Sequence, residues 1–257
     1  MILLSPTQAR SIQWLLTSVA DDEWIIGHRG SEWLAETPNL EDDLALSSIS
    51  QDEMGHAQLL YHLIEGLGGP SPDHQVYDRP IDRWHPAGLV TLPRQDWAEW
   101  VTRQYFYEVF DEIRRQALDT IPFPSLSSAL LSIQREESYH TRYVHTQIQS
   151  LAFGGAVAED HLAQAIAVDW PFIPSLFTWG GDDSTWQSLQ SPVLDPEAMK
   201  AAFEATVHQQ FVMWNIPWPG ALGSIAPQGR DQCHNPAMAQ VLSEMATVRH
   251  IAPESGW

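Results

Sequence analysis

Two short stretches carry residue types and a spacing with obvious chemistry: Glu53-Met54-Gly55-His56 and Glu137-Ser138-Tyr139-His140. In each, a carboxylate and an imidazole lie three residues apart, so on a helix both side chains share one face, one turn apart. One such pair is a weak signal, because both residue types are common on exposed helix faces. Two pairs on two helices, each joined by one more carboxylate from a neighbouring helix, make a dinuclear iron or manganese site in the core of a helix bundle. The case therefore depends on whether the chain supplies two further helices with acids at the right depth.

It does so on pattern. Ser5-Pro6-Thr7-Gln8 reads as a capped helix start, with Ser5 at the N-cap and Gln8 closing a capping box. From there Ile12, Leu16, Val19, Glu23 and Ile26 form one apolar stripe with a carboxylate in its middle, and Thr37-Pro38 ends the helix. Asn39 caps a second helix whose stripe is Leu46, Ile49, Glu53, His56, Leu60 and Leu63, and which stops at Gly66 to Gly69. The proline-rich stretch of about residues 67–94 cannot hold a long helix and reads as a crossover from one end of a bundle to the other. A third helix is expected from about Gln95 to Leu118, with Trp97, Val101, Tyr105 and Glu108 facing inward. A fourth, from about Ser125 to Leu151, carries Leu126, Leu130, Ile133, Glu137, His140, Val144 and Ile148 on its stripe.

Counted from the breaks, the four glutamates pair by depth. Glu23 lies about thirteen residues before the first break and Glu53 about fourteen after it, so both sit roughly 20 Å from that end of the bundle. Glu108 and Glu137 lie about eleven and twelve residues either side of the second break. An isolated buried Glu is costly, and any one of the four alone is better read as a miscounted surface residue. Four at matched depth favour a metal, whose charge keeps them ionised. On the third helix Asp111 and Glu112 are spacing-compatible alternatives to Glu108. Glu136 reads as outward-facing or as a partner to a ligand. Asp52 reads as a solvated acid, the alternative being an acceptor for a histidine on the facing helix. Oxygen donors with two imidazoles suit iron or manganese better than zinc.

The expected fold class is all-α: a ferritin-like four-helix bundle with one long crossover, its core at about residues 5–151. An additional C-terminal helical layer, about 152–257, belongs to the same domain. Short helices are expected there near Glu159–Val168, Pro196–Trp214 (capped by Asp195) and Pro236–His250 (capped by Asn235).

Composition bounds the function. A net charge of −20 on 257 residues argues against nucleic acid and anionic membrane partners. With one lysine, Lys200, against twelve arginines, an anionic ligand must be held locally by arginine. The single cysteine, Cys233, excludes an internal disulfide, reads as an inert thiol and fits a reducing compartment. No signal peptide or membrane span is legible, so the cytoplasm is the expected location.

Gln51-Asp52-Glu53-Met54-Gly55-His56 and Glu136-Glu137-Ser138-Tyr139-His140-Thr141-Arg142 resemble the two metal motifs of the catalytic subunit in the phenylacetyl-CoA epoxidase family. Other stretches resemble its smaller, structural sister subunit. These are Gly30-Ser31-Glu32-Trp33, Leu40-Glu41-Asp42-Asp43-Leu44-Ala45-Leu46, Arg103-Gln104-Tyr105-Phe106 and the ending from Leu242-Ser243-Glu244-Met245 through Pro253 to Trp257. The structural subunit lacks metal ligands, whereas this chain keeps acid and histidine at every motif position. Carried over residue by residue, the resemblance implies Glu23, Glu53, His56, Glu108, Glu137 and His140 as ligands of two iron ions, manganese being the alternative. It further implies a multicomponent monooxygenase of phenylacetate degradation, which epoxidises the ring of an aromatic acyl-CoA thioester. The implied partners are a sister ferritin-like subunit in a homo- or hetero-oligomer and an electron-donating reductase. A structural or assembly subunit with a vestigial site is the alternative. Arg103, Arg135 and Arg142 are candidates for coenzyme A phosphates, with plain surface charge balance as the other reading.

Overall fold

The computed structural model describes residues 4–179, 195–223, 229–230 and 236–251. Cys233, the Asn235 cap and the ending through Trp257 lie outside the described residues. Among those described there is no β-strand, only an isolated bridge between Ala87 and Gly229.

Helix α1 (Pro6–Ser31) starts as its sequence dictates: Gln8 N donates to Ser5 Oγ at 3.2 Å, and Ser5 N donates back to Gln8 Oε1 at 3.0 Å. It ends at Ser31, earlier than the expected stop at Thr37-Pro38. The chain is instead drawn onto the start of α2 (Leu40–Gly66). Ala35, in the left-handed region at φ 67°, donates its N–H to Asp43 Oδ1 at 2.6 Å. Depth counted from Thr37 therefore overstates the length of α1. What aligns α1 with α2 is a close approach at Gly27, where an added Cβ would lie 2.8 Å from Ser50 O and 3.0 Å from Glu53 Cβ. The Asn39 cap of α2 is present, accepting from Asp42 N at 2.9 Å.

The crossover is more structured than a bare connector. It holds α3 (Pro72–Tyr77), a 3₁₀ turn (Ile81–Arg83) and α4 (Gly88–Thr91), and it buries Trp84, Leu89 and Val90. Helix α5 (Trp97–Leu118) is capped by Asp96, which accepts from Glu99 N at 2.8 Å. It is buried nearly all round, as a central helix must be. Helix α6 (Pro124–Ala152) buries Leu126, Leu130, Ile133, Glu137, His140, Val144 and Ile148, the stripe read from its spacing and nothing more. Together α1, α2, α5 and α6 form a ferritin-like four-helix bundle with one long crossover.

Of the C-terminal helices, the first two long ones cover the outer face of α5, and the one at Pro236–Met245 packs on the crossover at Ile81–Arg83. In order, these helices are α7 (Ala156–Asp169), continued by a 3₁₀ segment (Trp170–Phe177), then α8 (Pro196–Met213), α9 (Pro236–Met245) and α10 (Thr247–Ile251). The expected single helix over 236–250 is thus two, a break that no local glycine or proline explains. Aromatic contacts join this layer to α5: Tyr105 to Trp214 with ring centroids 5.5 Å apart, and Phe106 to Trp170 at 5.7 Å. No helix among the described residues is long and apolar enough to cross a membrane.

Two glycines of the α1–α2 pair make opposite predictions. Gly27→Ala forces the helices apart and costs about 1–3 kcal/mol. Gly55, inside α2 with nothing within 4 Å of an added Cβ, tolerates alanine and gains about 0.5–1 kcal/mol of helix stability. Urea denaturation of the two variants measures both signs.

Candidate metal centre

The bundle brings all six sequence-predicted residues into one buried cluster. Glu23 comes from α1, Glu53 and His56 from α2, Glu108 from α5, and Glu137 and His140 from α6; each is at most 3% exposed. They fall into two overlapping groups whose candidate ligand atoms lie within 4.8 Å of one another. Glu23, Glu53, His56 and Glu137 form the first, and Glu53, Glu108 and His140 the second. Glu53 is common to both. The Nδ1 atom of His56 is 3.3 Å from Glu137 Oε1 and 3.9 Å from Glu23 Oε2. That of His140 is 3.3 Å from Glu137, 3.7 Å from Glu108 and 3.8 Å from Glu53. The imidazole centroids are 6.0 Å apart.

The donor set tests well against a metal pair. Glu23 Oε2, Glu53 Oε2, Glu108 Oε2, His56 Nδ1 and His140 Nδ1 are all buried without a hydrogen-bond partner. Five partnerless polar atoms in one place would be a heavy cost in an ordinary core. Carboxylate oxygens and imidazole nitrogens in this number are what a pair of first-row dications takes up. The cluster can bind metal.

Of the helix α5 alternatives, neither joins. Asp111 is buried but engaged by Arg114 and by Arg115 Nε at 2.5 Å, and Glu112 is exposed. Asp52 corrects its expected role as a solvated acid: its Oδ2 lies 3.2 Å from His140 Nε2. Glu136 does the reciprocal, its Oε2 lying 2.7 Å from His56 Nε2. The residue before each motif glutamate thus holds the histidine of the opposite helix, which follows from α2 and α6 running antiparallel. These contacts leave each Nδ1 turned to the carboxylates.

Sequence reasoning missed the groups that surround the cluster. Gln104 Nε2, fully buried, donates to Glu53 Oε1 at 2.8 Å and to Glu108 Oε1 at 2.9 Å. Arg114 donates to Glu23 Oε1 at 2.5 Å, to Asp22 Oδ2 at 2.8 Å and to the Tyr107 hydroxyl at 2.7 Å, besides Asp111. Arg230 adds two more bonds to Asp22, at 2.8 and 3.0 Å, and Arg79 pairs with Asp21 at 2.6 Å. Asp21-Asp22-Glu23 is legible as an acid run, but an arginine far away in sequence gives no signal that it will be its partner. Of the arginines named against phosphates, Arg103 is buried and spent on Asp169 and on the carbonyls of Leu92 and Pro93. Arg135 and Arg142 are both exposed.

Without metal the cluster holds protons in place of cations. Burial, reinforced by the Glu23 charge, pushes the Glu53 carboxyl well up; burial and Glu137 do the same to Glu108. Burial also acts to raise Glu23, but the close polar groups of Glu53 and His56 and the Arg114 charge outweigh it and hold Glu23 at about 2. Glu137 is likewise held low, the nearby imidazoles of His140 and His56 outweighing burial. Burial works against both imidazolium ions, yet the nearby carboxylates of Glu137 and Glu23 push His56 up to about 11, and the Asp52 bond with the nearby Glu137 carboxylate pushes His140 up to about 9.

Metal binding therefore competes with protons on both histidines, Glu53 and Glu108. Loading is predicted to release protons, the two histidines contributing about one each, so affinity falls as pH drops below about 9. Titration calorimetry in buffers of different ionisation enthalpy counts the protons directly. The histidine partners give a second prediction: Asp52→Asn and Glu136→Gln each weaken metal affinity about 10–100-fold without unfolding the bundle. Competitive chelator titration with circular dichroism measures both quantities.

The sequence of this chain matches the family described as phenylacetic acid catabolic protein over residues 5–257. Two proteins of Escherichia coli (strain K12) are similar to it. One is the C subunit of 1,2-phenylacetyl-CoA epoxidase, 26% identical over 242 residues that cover 93% of this chain and 96% of the relative. The other is the A subunit of the same enzyme, 26% identical over 197 residues that cover 76% of this chain and 62% of the relative. The double likeness read from the motifs thus recurs over most of the chain. The match runs through the bundle, the metal cluster and the C-terminal helices, and the chain belongs to the phenylacetic acid catabolic protein family.

Proposed function

We propose that this chain is a subunit of a multicomponent oxygenase of phenylacetate-type aromatic degradation, acting on an aromatic acyl-CoA thioester, with two iron ions held by Glu23, Glu53, His56, Glu108, Glu137 and His140. The observation that carries the reading is the convergence of both Glu-x-x-His pairs and two further glutamates on five partnerless buried atoms. The relatives support the reaction class, since both are named as subunits of 1,2-phenylacetyl-CoA epoxidase.

When bound, a di-iron centre supplies activation of dioxygen, with two electrons delivered from a separate reductase. The chain's own residues do the positioning. Glu53, shared by both groups, ties the two metal positions together. Gln104 fixes one oxygen of Glu53 and one of Glu108, leaving the other oxygen of each free for a metal. Asp52 and Glu136 accept the Nε2 protons of neutral His140 and His56, which holds each imidazole in the tautomer that offers Nδ1. The covering aromatic layer on α5 keeps water from one side of the cluster. The oligomer is with a sister ferritin-like subunit, and the cytoplasm is where such a catabolic complex would work.

A second reading is an assembly partner whose site is idle. One observation favours it: guanidinium groups already neutralise two of the glutamates, Arg114 at 2.5 Å from Glu23 and Arg115 at 3.5 Å from Glu137. Anaerobic iron(II) loading followed by Mössbauer spectroscopy separates the readings. The proposal expects about two antiferromagnetically coupled irons per chain, lost in Glu53→Gln, and product from phenylacetyl-CoA when a reductase is supplied. No iron uptake sinks it. Iron uptake with product only after a longer sister subunit is added gives the assembly role.

A further inference from the structure

Arg94, in the segment joining α4 to α5, carries a guanidinium that the rest of the fold leaves unused. The residue is 8% exposed, and Nε, Nη1 and Nη2 are all buried without an acceptor among the described residues. Its neighbours Pro93 and Gln95 are exposed, so the group lies one side chain's length beneath the surface. Two other arginines share its surroundings, and each is already matched. Arg29 pairs with Glu32 at 2.8 Å and donates to Thr91 O at 3.0 Å. Arg103 pairs with Asp169 at 2.7 Å and donates to Leu92 O at 2.6 Å. Both therefore clamp the chain just before Arg94 and hold their own counter-ions, which leaves one positive charge uncompensated. Burial, then the charges of Arg103 and Arg29, push the Arg94 guanidinium well below its ordinary range. An unpaired buried guanidinium is among the most costly groups a core can hold, and it is retained where something occupies its donors.

We propose that Arg94, flanked by Arg29 and Arg103, is the centre of a binding site for a single oxyanion, a phosphate or carboxylate group. The planar fork of a guanidinium offers two parallel N–H bonds to such a group, the geometry that fixes carboxylates and phosphates most firmly. One anion closes the local charge balance, since Glu32 and Asp169 already answer the other two arginines. In a chain of net charge −20 the overall field repels anions, so a site for one must be built locally from arginine. The site is separate from the metal cluster and does not depend on the reaction proposed above. The oxyanion comes either as a free ion or as part of a larger molecule.

The test is thermal unfolding of the full chain with inorganic phosphate, acetate or coenzyme A, against chloride at the same ionic strength. Binding raises the melting temperature of the wild type by about 3 °C or more at saturation, and Arg94→Met abolishes the response. In phosphate-free buffer Arg94→Met is at least as stable as the wild type, because it removes an unpaired buried charge. A response to phosphate or acetate identifies the free ion as sufficient, and a response to coenzyme A alone assigns the group to a larger ligand. The proposal is overturned if none of the probes acts beyond chloride, or if Arg94→Met melts markedly lower in phosphate-free buffer while keeping the wild-type response. That second result would mean Arg94 pairs within the fold, with the free Oδ2 of Asp169 as the available acceptor. Should the methionine variant not fold, the wild-type titration decides alone.

Discussion

Three consecutive acids on α1, Asp21, Asp22 and Glu23, are all buried, and the molecule is built around supplying positive charge to them. A helix can turn only some of three successive residues toward one neighbour, so each acid meets a different element. Asp21 takes Arg79 and the Tyr61 hydroxyl, at 2.6 and 2.7 Å, together with the backbone N–H of His85. Asp22 takes Arg114 from α5, Arg230 from the C-terminal region and the backbone N–H of Ala87. Glu23 takes Arg114 and turns its other oxygen to the cluster. Removing one partner from such a network leaves a buried charge unanswered, at a cost of about 3–5 kcal/mol. The crossover, α5 and the far C-terminal residues are thereby pinned to one turn of α1.

That turn also fixes the cluster. Gly27, one turn beyond Glu23, lets α1 press onto α2 at Ser50 and Glu53. The antiparallel pairing of α2 with α6 sets Asp52 against His140 and Glu136 against His56. Helix α5 closes the set, with Gln104 and Glu108 one turn apart and Arg114 further along the same helix. Glu108 is held by Gln104 of its own helix, but the other five ligand candidates are each oriented by a residue from a different helix, so the site cannot form before the bundle does. This coupling makes metal binding and folding parts of one equilibrium.

Legibility in the sequence follows the range of the interaction. Caps at Ser5, Asn39, Asp96 and Asp195 are local hydrogen bonds, and all but Asp96 are read directly from residue type. The stripe of α6 is a period of 3.6 on one helix, and its seven members are those that are buried. The six cluster residues are legible because two pairs repeat a spacing and two acids interrupt apolar stripes. Arg114, Arg230 and Gln104 are not, because a polar residue in a polar neighbourhood looks like a surface residue until its partner is known. The early end of α1 escapes for the same reason, since the acceptor that draws Ala35 away is Asp43, on the next helix. Asp52 reads as solvated, although it is only partly exposed and its partner lies on α6.

The two halves of the cluster differ in how their charge is answered. Glu23 and Glu137 stand beside Arg114 and Arg115 and are ionised without metal. Glu53 and Glu108 have no guanidinium beside them, only the neutral amide of Gln104 and the His140 ring, and burial pushes both carboxyls well up. A dication among Glu23, Glu53, His56 and Glu137 would face two carboxylates held low, whereas one among Glu53, Glu108 and His140 would face two carboxyls that burial holds high. The neighbouring guanidinium groups weaken the field at the first position, but they are anchored elsewhere, on Asp22 and Asp111, and need not leave the structure to give up one oxygen. Glu53, common to both groups, would couple ions at the two positions, and arginine on one side against glutamine on the other makes those positions electrostatically unequal.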